Sequence, residues 1–219
     1  MPLRLRIIVA GAVLAALACA APASARIVEV GSAQPEATPT CPSSPCFAVS
    51  RTTGYQAKVV DSRSTYIVPA DGRIVAWTIS LGNPAARQID FFNSNYQESS
   101  AAITILRRGK RLYHRVMAQS PVQRLEPYFG QKVQFPLSSS IPVKKGYVVA
   151  LTVPTWAPAL TQLLDDGSAW RASRAKGRCD DTDTQTAQTR PRQRTQFRCL
   201  YRARLTYSAT LITNPQPKK

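Results

Sequence analysis

The side chains in this sequence that could do chemistry are mainly basic. The 219 residues include 29 Lys and Arg against 12 Asp and Glu, which gives a formal net charge of +17. Arg is used more often than Lys, and its planar guanidinium can form two parallel hydrogen bonds to a phosphate or a carboxylate. A positive field of this size attracts anionic polymers. The composition therefore points first to an anionic binding partner.

The basic residues are concentrated in two segments. The first reads as the tip of a hairpin and contains Arg107, Arg108, Lys110 and Arg111, with Arg115 beyond it. The second covers residues 171–204 and contains Arg190, Arg192 and Arg194. We expect these surfaces to bind an anionic cell-envelope polymer or polysaccharide, and the alternative is a solvated basic surface. No nucleic-acid-binding motif is present, which argues against sequence-specific nucleic-acid recognition.

Three aromatic residues outside the predicted strand cores could bind a neutral sugar. Trp156 and Trp170 are the candidates for a sugar-binding platform, with Tyr128 as a third ring. A flat aromatic face can stack on the apolar face of a saccharide. The alternative is that these rings close the ends of a hydrophobic core.

Catalytic patterns are weak by comparison. Glycoside hydrolysis needs two carboxylates in one cleft, and no motif surrounds the candidates Asp90, Glu98, Glu126, Asp165 and Asp166. There is no G-x-S-x-G motif for a serine nucleophile. The single histidine, His114, alternates with Leu112 and Val116, as in a buried strand. We therefore assign no catalytic residue and no cofactor.

Calcium is the one metal that the sequence could suggest. Asp180, Asp181 and Asp183 could supply oxygen ligands. The segment lacks the glycine and the glutamate of an EF-hand loop, and Arg178 competes for the same carboxylates. We interpret the cluster as ion-paired aspartates and predict no metal site.

The first 25 residues are typical of a secretory signal peptide. Arg4 and Arg6 precede an apolar run over residues 7–18, and Ala-Ser-Ala at 23–25 forms a small-residue cleavage site. The run is too short to cross a bilayer comfortably as a helix. We predict cleavage directly after this site, and rank processing as a lipoprotein at Cys19 second. The expected location is secreted or cell-surface, with no transmembrane span in the mature chain.

Four cysteines remain after this cleavage: Cys41, Cys46, Cys179 and Cys199. An even number of cysteines in an exported chain indicates disulfide bonds. Three pairings are possible, and the simplest joins Cys41 to Cys46 and Cys179 to Cys199. The first bond would then close a Pro-Ser-Ser-Pro loop, and the second would hold a polar loop that cannot pack by itself.

Composition divides the chain into four segments: a signal peptide over 1–25, a flexible linker over 26–40, one domain over 41–213 and a disordered tail over 214–219. The linker is rich in Pro, Ala and Thr. Within the domain, runs rich in Val, Ile, Thr and Tyr are separated by turn residues, which predicts strands. The predicted strands are 47–51, 55–60, 65–68, 73–81, 88–92, 101–106, 112–118, 132–135, 147–153 and 199–212.

The strand pattern predicts an all-β fold with little helix. In the last run, Ala203, Leu205 and Tyr207 alternate with Arg204 and Thr206. This period of two predicts one buried and one solvent-exposed face. Short strands without intervening helices are typical of a single antiparallel sandwich or barrel.

Several short segments resemble a known group of proteins. Residues 140–158 (SIPVKKGYVVALTVPTWAP) are similar to a segment of secreted jelly-roll-like β-sandwiches. Together with TGYQ at 53–56, FFNS at 91–94, CDD at 179–181 and CLY at 199–201, they resemble uncharacterised secreted proteins of high-GC Gram-positive bacteria. The resemblance covers residues 41–210. It implies a single jelly-roll-like β-sandwich in an extracellular setting, without an activity, because a fold does not determine a function.

These observations predict a secreted, non-enzymatic β-sandwich module that binds or packs at the cell exterior through an Arg-rich surface. One alternative is a small extracellular hydrolase acting on wall or extracellular polysaccharide. Two carboxylates facing each other across a groove would favour it. The other alternative is a subunit of an extracellular protein assembly, which a large exposed apolar patch would favour.

Overall fold

The computed structural model describes residues 24–32, 36–162, 167–181, 185–187 and 190–215. Most of the predicted signal peptide and tail, with Cys19, lies outside the described residues. Asp165, Asp166 and Asp183 also lie outside them. Within the described part of the chain, none of the helices has the length and apolar character needed to span a membrane.

Antiparallel strands make up 48% of the described structure and helices 9%, so the prediction of a mostly-β fold with little helix is confirmed. One α-helix, α1, covers Ala86–Tyr96, and 3-10 turns cover Lys110–Leu112 and Glu126–Tyr128. The strands are β1 (Ile27–Val30), β2 (Val49–Lys58), β3 (Gly72–Ser80), β4 (Ser100–Arg108), β5 (Tyr113–Gln119), β6 (Gln123–Arg124), β7 (Lys132–Val143), β8 (Val148–Ala157), β9 (Leu160–Thr161), β10 (Ala169–Ala172), β11 (Arg194–Gln196), β12 (Cys199–Tyr201), β13 (Arg204–Leu205) and β14 (Tyr207–Thr213).

Two sheets enclose the main hydrophobic core. The smaller sheet has the order β1-β14-β3-β7, and the larger has the order β11-β5-β4-β8-β2-β10-β12, with β6 beside the start of β4. Trp77 on β3 and Leu211 on β14 lie in one buried cluster with Ile105 on β4 and Leu151 on β8. Burial of such side chains contributes about 1.5–3 kcal/mol each, so this cluster holds the two sheets together.

The larger sheet curls, because its two outer strands are almost consecutive in sequence. Only two residues separate Gln196, the last residue of β11, from Cys199, the first of β12. Three residue steps span at most about 11 Å. In a flat sheet, seven strands would place the outer two about 29 Å apart. The connection therefore brings β11 and β12 together and gives the sheet the shape of a half-barrel.

A second apolar cluster lies on the other face of the larger sheet. In β8, Val148 and Ala150 belong to this second cluster, whereas Val149 and Leu151 face the main core. This alternation is the period of two of a strand that is buried on both faces. Phe197, from the connection between β11 and β12, packs in the second cluster. The connection thus covers the inner face of the curl.

Two disulfide bonds join Cys41 to Cys46 and Cys179 to Cys199, as the simplest pairing predicted. The second bond ties β12 to the segment that follows β10. A ring with a sequence separation of 20 restricts the unfolded chain, which contributes about 3 kcal/mol to stability.

The linker prediction over residues 26–40 is wrong at its start, because Ile27–Val30 forms β1. This strand pairs with β14, and its last residue, Val30, is buried in the main core. Backbone pairing with the edge of β14 and the packing of Val28 and Val30 against the core order this short segment, which composition alone assigns to a linker.

The predicted strand over 88–92 is also wrong, because these residues lie in α1. Ala85 is extended at the N-terminus of the helix, and its N–H donates to Oε1 of Gln88 at 2.8 Å. Phe92, three residues after Ile89, stacks on Trp156 at a centroid distance of 4.6 Å. An apolar spacing of three and four residues is typical of a helix packed on one face, and five residues are too few to reveal it.

The last predicted strand, 199–212, is divided into β12, β13 and β14. Its alternation holds from Tyr207 onwards, where Tyr207, Ala209 and Leu211 are buried. Arg204 and Thr206, predicted on the solvent face, are buried instead. Arg204 belongs to the short pair β9–β13 outside the main sheets, so the period of the neighbouring strands does not apply to it. Residues 65–68 contribute only an isolated bridge at Ile67.

Candidate functional site

The two basic segments, far apart in sequence, lie side by side in the fold. The turn between β4 and β5 carries the first segment, and β11 pairs with β5. Residues 107–119 and 190–196 contain no Asp or Glu. We call the exposed cations of residues 107–119 and 190–196 the basic face: Arg107, Arg108, Lys110, Arg111, Arg115, Arg190, Arg192 and Arg194. It contains all seven residues predicted from the sequence, together with Arg115.

Three arginines of the basic face form a row across three neighbouring strands. Arg194 on β11 lies directly opposite Arg115 on β5, which in turn lies opposite Arg107 on β4. Residues directly opposite each other share one face of a sheet, with Cβ atoms about 5 Å apart. The row therefore spans about 10 Å and presents three guanidinium groups on the same side.

Like charges directly opposite each other destabilise a sheet, and no carboxylate in the described residues offsets this row. Ion pairs within the described ranges join Arg124 to Glu98, Lys132 to Glu36 and Arg178 to Asp181, and none includes a residue of the basic face. The Arg194 guanidinium instead lies 4.6 Å from the centroid of the Tyr113 ring. This cation–π contact orients the Arg194 side chain but does not neutralise its charge.

The turn that carries these cations depends on a close backbone approach. The Gly109 N–H donates to Tyr113 O at 2.7 Å. A Cβ atom at this position would lie 2.7 Å from the same oxygen, which is too close for any side chain without a backbone shift. Lys110 and Arg111 follow in a 3-10 turn, and Arg111 has a positive φ of 53°. The glycine thus allows five cations to crowd into one short turn and its flanking residues.

His114 lies under the turn, opposite Arg108 and with its ring between Tyr55 and Phe197. Its Nδ1 is 3.0 Å from Leu112 O. Because a carbonyl oxygen only accepts, Nδ1 carries the proton of the neutral ring, and Nε2 has no partner among the described residues. Burial, together with the charges of Arg108 and Arg171, lowers the pKa of His114 to about 4 against the opposing effect of the Leu112 carbonyl.

The two tryptophans proposed as a sugar platform do not present a face to solvent. Trp156 has 0% and Trp170 has 5% of its surface exposed. Trp156 donates from Nε1 to Asn93 Oδ1 at 2.8 Å and stacks on Phe92 of α1. Both rings belong to the packing of the protein, so the sugar-platform prediction is wrong for them. Tyr128 is half-buried against Phe135.

Two of the candidate carboxylates, Glu98 and Glu126, take part in local contacts at the other end of β4. Glu98 pairs with Arg124 at 3.1 Å. Glu126 accepts from Nδ2 of Asn93 at 2.9 Å. Asp181 pairs with Arg178, as predicted for the aspartate cluster. In the described part of the chain, no group of three or more His, Cys, Asp or Glu residues is placed to hold a metal ion.

A cavity of about 280 Å³ lies elsewhere, beside β1 and β14. Sequence reasoning did not single out its acids, Glu29 and Glu36. Glu29 accepts from the hydroxyls of Ser208 and Thr210, and Glu36 pairs with Lys132. Glu29 therefore links β1 to β14, and Glu36 offsets the charge of Lys132.

No family model, curated protein or solved structure matches this chain. Its function must therefore be inferred from the geometry of its own side chains. The basic face is the feature that packing explains least, because its charges lie on two neighbouring segments without acidic partners among the described residues. Its chemistry is that of guanidinium groups, which bind carboxylates, sulfates and phosphates through paired hydrogen bonds.

Proposed function

We propose that this chain is a secreted binding module whose basic face holds an anionic polymer at the cell exterior. The observation that carries the proposal is the row of Arg107, Arg115 and Arg194 on three neighbouring strands. Placing three like charges opposite one another costs stability. A bound polyanion would remove that cost, because each guanidinium could then donate to an acidic group.

A polymer fits this surface better than an isolated ion. The eight cations come from two segments, and the arginine row alone spans about 10 Å. An anionic polymer can contact several of these cations at once, and each contact releases a counterion into the solvent, which favours binding at low salt. Because strand pairing already fixes the backbone of the arginine row, little backbone order has to be created on binding.

Export and the finer fold assignment belong to the same proposal. Disulfides persist in oxidising compartments outside the cytosol, and all four cysteines of the predicted mature chain are bonded. The predicted signal peptide provides the route. Two antiparallel sheets around one core agree with a jelly-roll-like sandwich, in which the curl of the larger sheet sets the basic face at one end.

The test is retention of residues 26–219, with both disulfides formed, on immobilised polyphosphate and on neutral dextran. We expect retention on polyphosphate at about 0.05 M salt and release near 0.5 M, because the charges are exposed and screened by salt. Dextran should retain nothing. Salt-resistant retention on dextran, or no retention on either matrix, would overturn the proposal.

A matched pair of variants locates the site. R115Q/R194Q removes two charges from the basic face, and R87Q/R124Q removes two exposed charges from the other end of the molecule, about 26 Å away along β4. We expect the first to weaken polyphosphate binding roughly tenfold or more and to reduce the dependence of log K on log salt by about two. Equal effects of the two variants would show that net charge acts without this face.

A further inference from the structure

The basic face contains a small pocket between the β4–β5 turn and β11. The pocket has a volume of about 160 Å³ and is lined by four of the eight cations: Arg107, Arg108, Arg115 and Arg194. Gly109, Tyr113 and His114 complete the lining of the pocket. The other four cations, Lys110, Arg111, Arg190 and Arg192, do not line it. The face therefore has two parts, a concave one and an outer one.

The pocket is large enough for one acidic group. A volume of 160 Å³ equals about five water molecules at their share of roughly 30 Å³ in the liquid. The rest of a polymer would then lie along the outer cations of the basic face.

The number of arginines around the pocket favours one shape of anion. A carboxylate has two oxygens in one plane, which match the fork of a single guanidinium. A tetrahedral oxyanion has oxygens in several directions, and more than one guanidinium can donate to it at the same time. Arg194 and Arg115 are opposite residues of paired strands, and Arg107 continues the row, so the donors reach the pocket from different strands.

We infer that this pocket binds the tetrahedral oxyanion of a phosphate- or sulfate-bearing polymer, so that the polymer is held by one seated acidic group and by weaker contacts around it. This inference rests on the proposed function and names its ligand class. It distinguishes phosphate or sulfate from carboxylate, which the exposed charge of the whole face does not. The Tyr113 ring, which holds Arg194 at 4.6 Å, keeps one donor in place before the anion enters.

The first experiment uses small anions as probes. Inorganic phosphate, sulfate and acetate are titrated at constant ionic strength into the isotopically labelled protein, and the arginine Nε–Hε signals are followed by NMR. We expect saturable shifts of the pocket arginines with phosphate and sulfate, and only weak, non-saturating shifts with acetate. Equal responses to all three anions would overturn the inference. The relative strength of phosphate and sulfate identifies which of the two sources of this chemistry is preferred.

Variants then separate the pocket from the rest of the face. R115Q/R194Q removes two pocket charges, and R190Q/R192Q removes two charges of the same face outside the pocket. We expect the first to lower the affinity for inorganic phosphate roughly tenfold or more and the second by less than about threefold. R115K/R194K keeps the charge but loses the guanidinium forks, and should also lose most of the phosphate affinity.

The outcomes distinguish the two proposals. If the chain binds polyphosphate but both double Gln variants weaken it equally, and the Lys variant binds normally, the face is a general polyanion surface and the pocket inference fails. If phosphate saturates the pocket but no anionic polymer is retained, the pocket stands as a small-anion site and the proposed function fails.

Discussion

Arg174 and Arg194 belong to the same basic segment, residues 171–204, and Arg115 lies on β5, directly opposite Arg194. The surroundings of Arg174 nevertheless differ from those of the arginine row. Arg174 has 6% of its surface exposed and donates to Tyr201 Oη at 2.8 Å and to Cys179 O at 3.1 Å. Arg115 and Arg194 are exposed, lie opposite each other and have no acidic partner among the described residues. One arginine holds the fold together, whereas the others add repulsion to it.

A basic segment in the sequence contains both buried and exposed cations. In sequence, residues 171–204 form one basic segment. In the fold, Arg174 and Arg204 are buried, and Arg190, Arg192 and Arg194 belong to the basic face. Only the second group has charge available to a ligand. The two groups should therefore respond to mutation in opposite ways, in stability for the first and in binding for the second.

The largest effect on stability is expected for Arg174→Met. Methionine keeps much of the side-chain volume but removes the charged donor to Cys179 O, Tyr201 Oη and Ser50 O, and leaves Cys179 O with the Tyr201 hydroxyl as its donor. Hydrogen bonds from a charged group contribute about 1.5–3 kcal/mol each, and the loss of the buried charge recovers part of this. We expect the free energy of unfolding to fall by about 2 kcal/mol, as measured by urea denaturation with the disulfides intact.

Arg202→Met is the matched control, because Arg202 is exposed and lies on the same stretch of chain. It should change stability by less than about 0.5 kcal/mol. Folded Arg174→Met protein should still bind polyphosphate like the wild type. If instead it is as stable as the control, Arg174 does not have the structural role that separates it from the basic face.

His114 extends the comparison to a buried basic group that stays neutral. Its pKa of about 4 lies below the ordinary value of about 6.5. Between these values the unfolded chain binds a proton that the folded chain does not, so stability falls as the pH falls from about 6.5 towards 4. His114 should account for a loss of about 2 kcal/mol between pH 7.5 and pH 5.

The measurement is the pH dependence of urea unfolding for the wild type and for His114→Phe. Phenylalanine can occupy the space between Tyr55 and Phe197 but cannot be protonated. Carboxylate titration is common to both proteins, so the difference between the two curves isolates the histidine. Parallel curves would mean that His114 takes up its proton at the same pH in the folded and unfolded states. The fold would then tolerate a positive charge at this position better than the geometry indicates.

Much of the fold could be predicted from local patterns, but pairing over long distances could not. Strand-forming runs, the two disulfides and the alternation from Tyr207 to Leu211 are visible in sequence because they depend on composition and spacing. The helix at Ala86–Tyr96 depends on a single apolar stripe that packs on Trp156. The strand at Ile27–Val30 depends on an edge offered by residues near the other terminus.

The candidate site shows the same limit. Each basic segment could be found by counting charges, and all seven predicted residues are in the basic face. That the segments meet is decided by the pairing of β11 with β5, across about 80 residues of sequence, and no local signal contains that information. Trp156 illustrates the opposite error, since an aromatic residue between two prolines looks like a loop platform and is in fact fully buried.

The smallest predicted effect is a gain in stability when a charge of the arginine row is removed. It separates the row clearly from Arg174, because most substitutions destabilise a protein. Arg115→Gln removes the central member of three like charges that lie directly opposite one another. Relief of cross-strand repulsion contributes about 0.2–1 kcal/mol, so this variant should be slightly more stable than the wild type, although it binds polyphosphate less well. The gain should disappear at about 1 M salt, where the Debye length is about 3 Å. A loss of stability would mean that these arginines hold the sheet as Arg174 holds its loop, and the distinction between the two regions would be wrong. A gain in stability with a loss of binding is the expected signature of residues kept for a ligand at the expense of the fold.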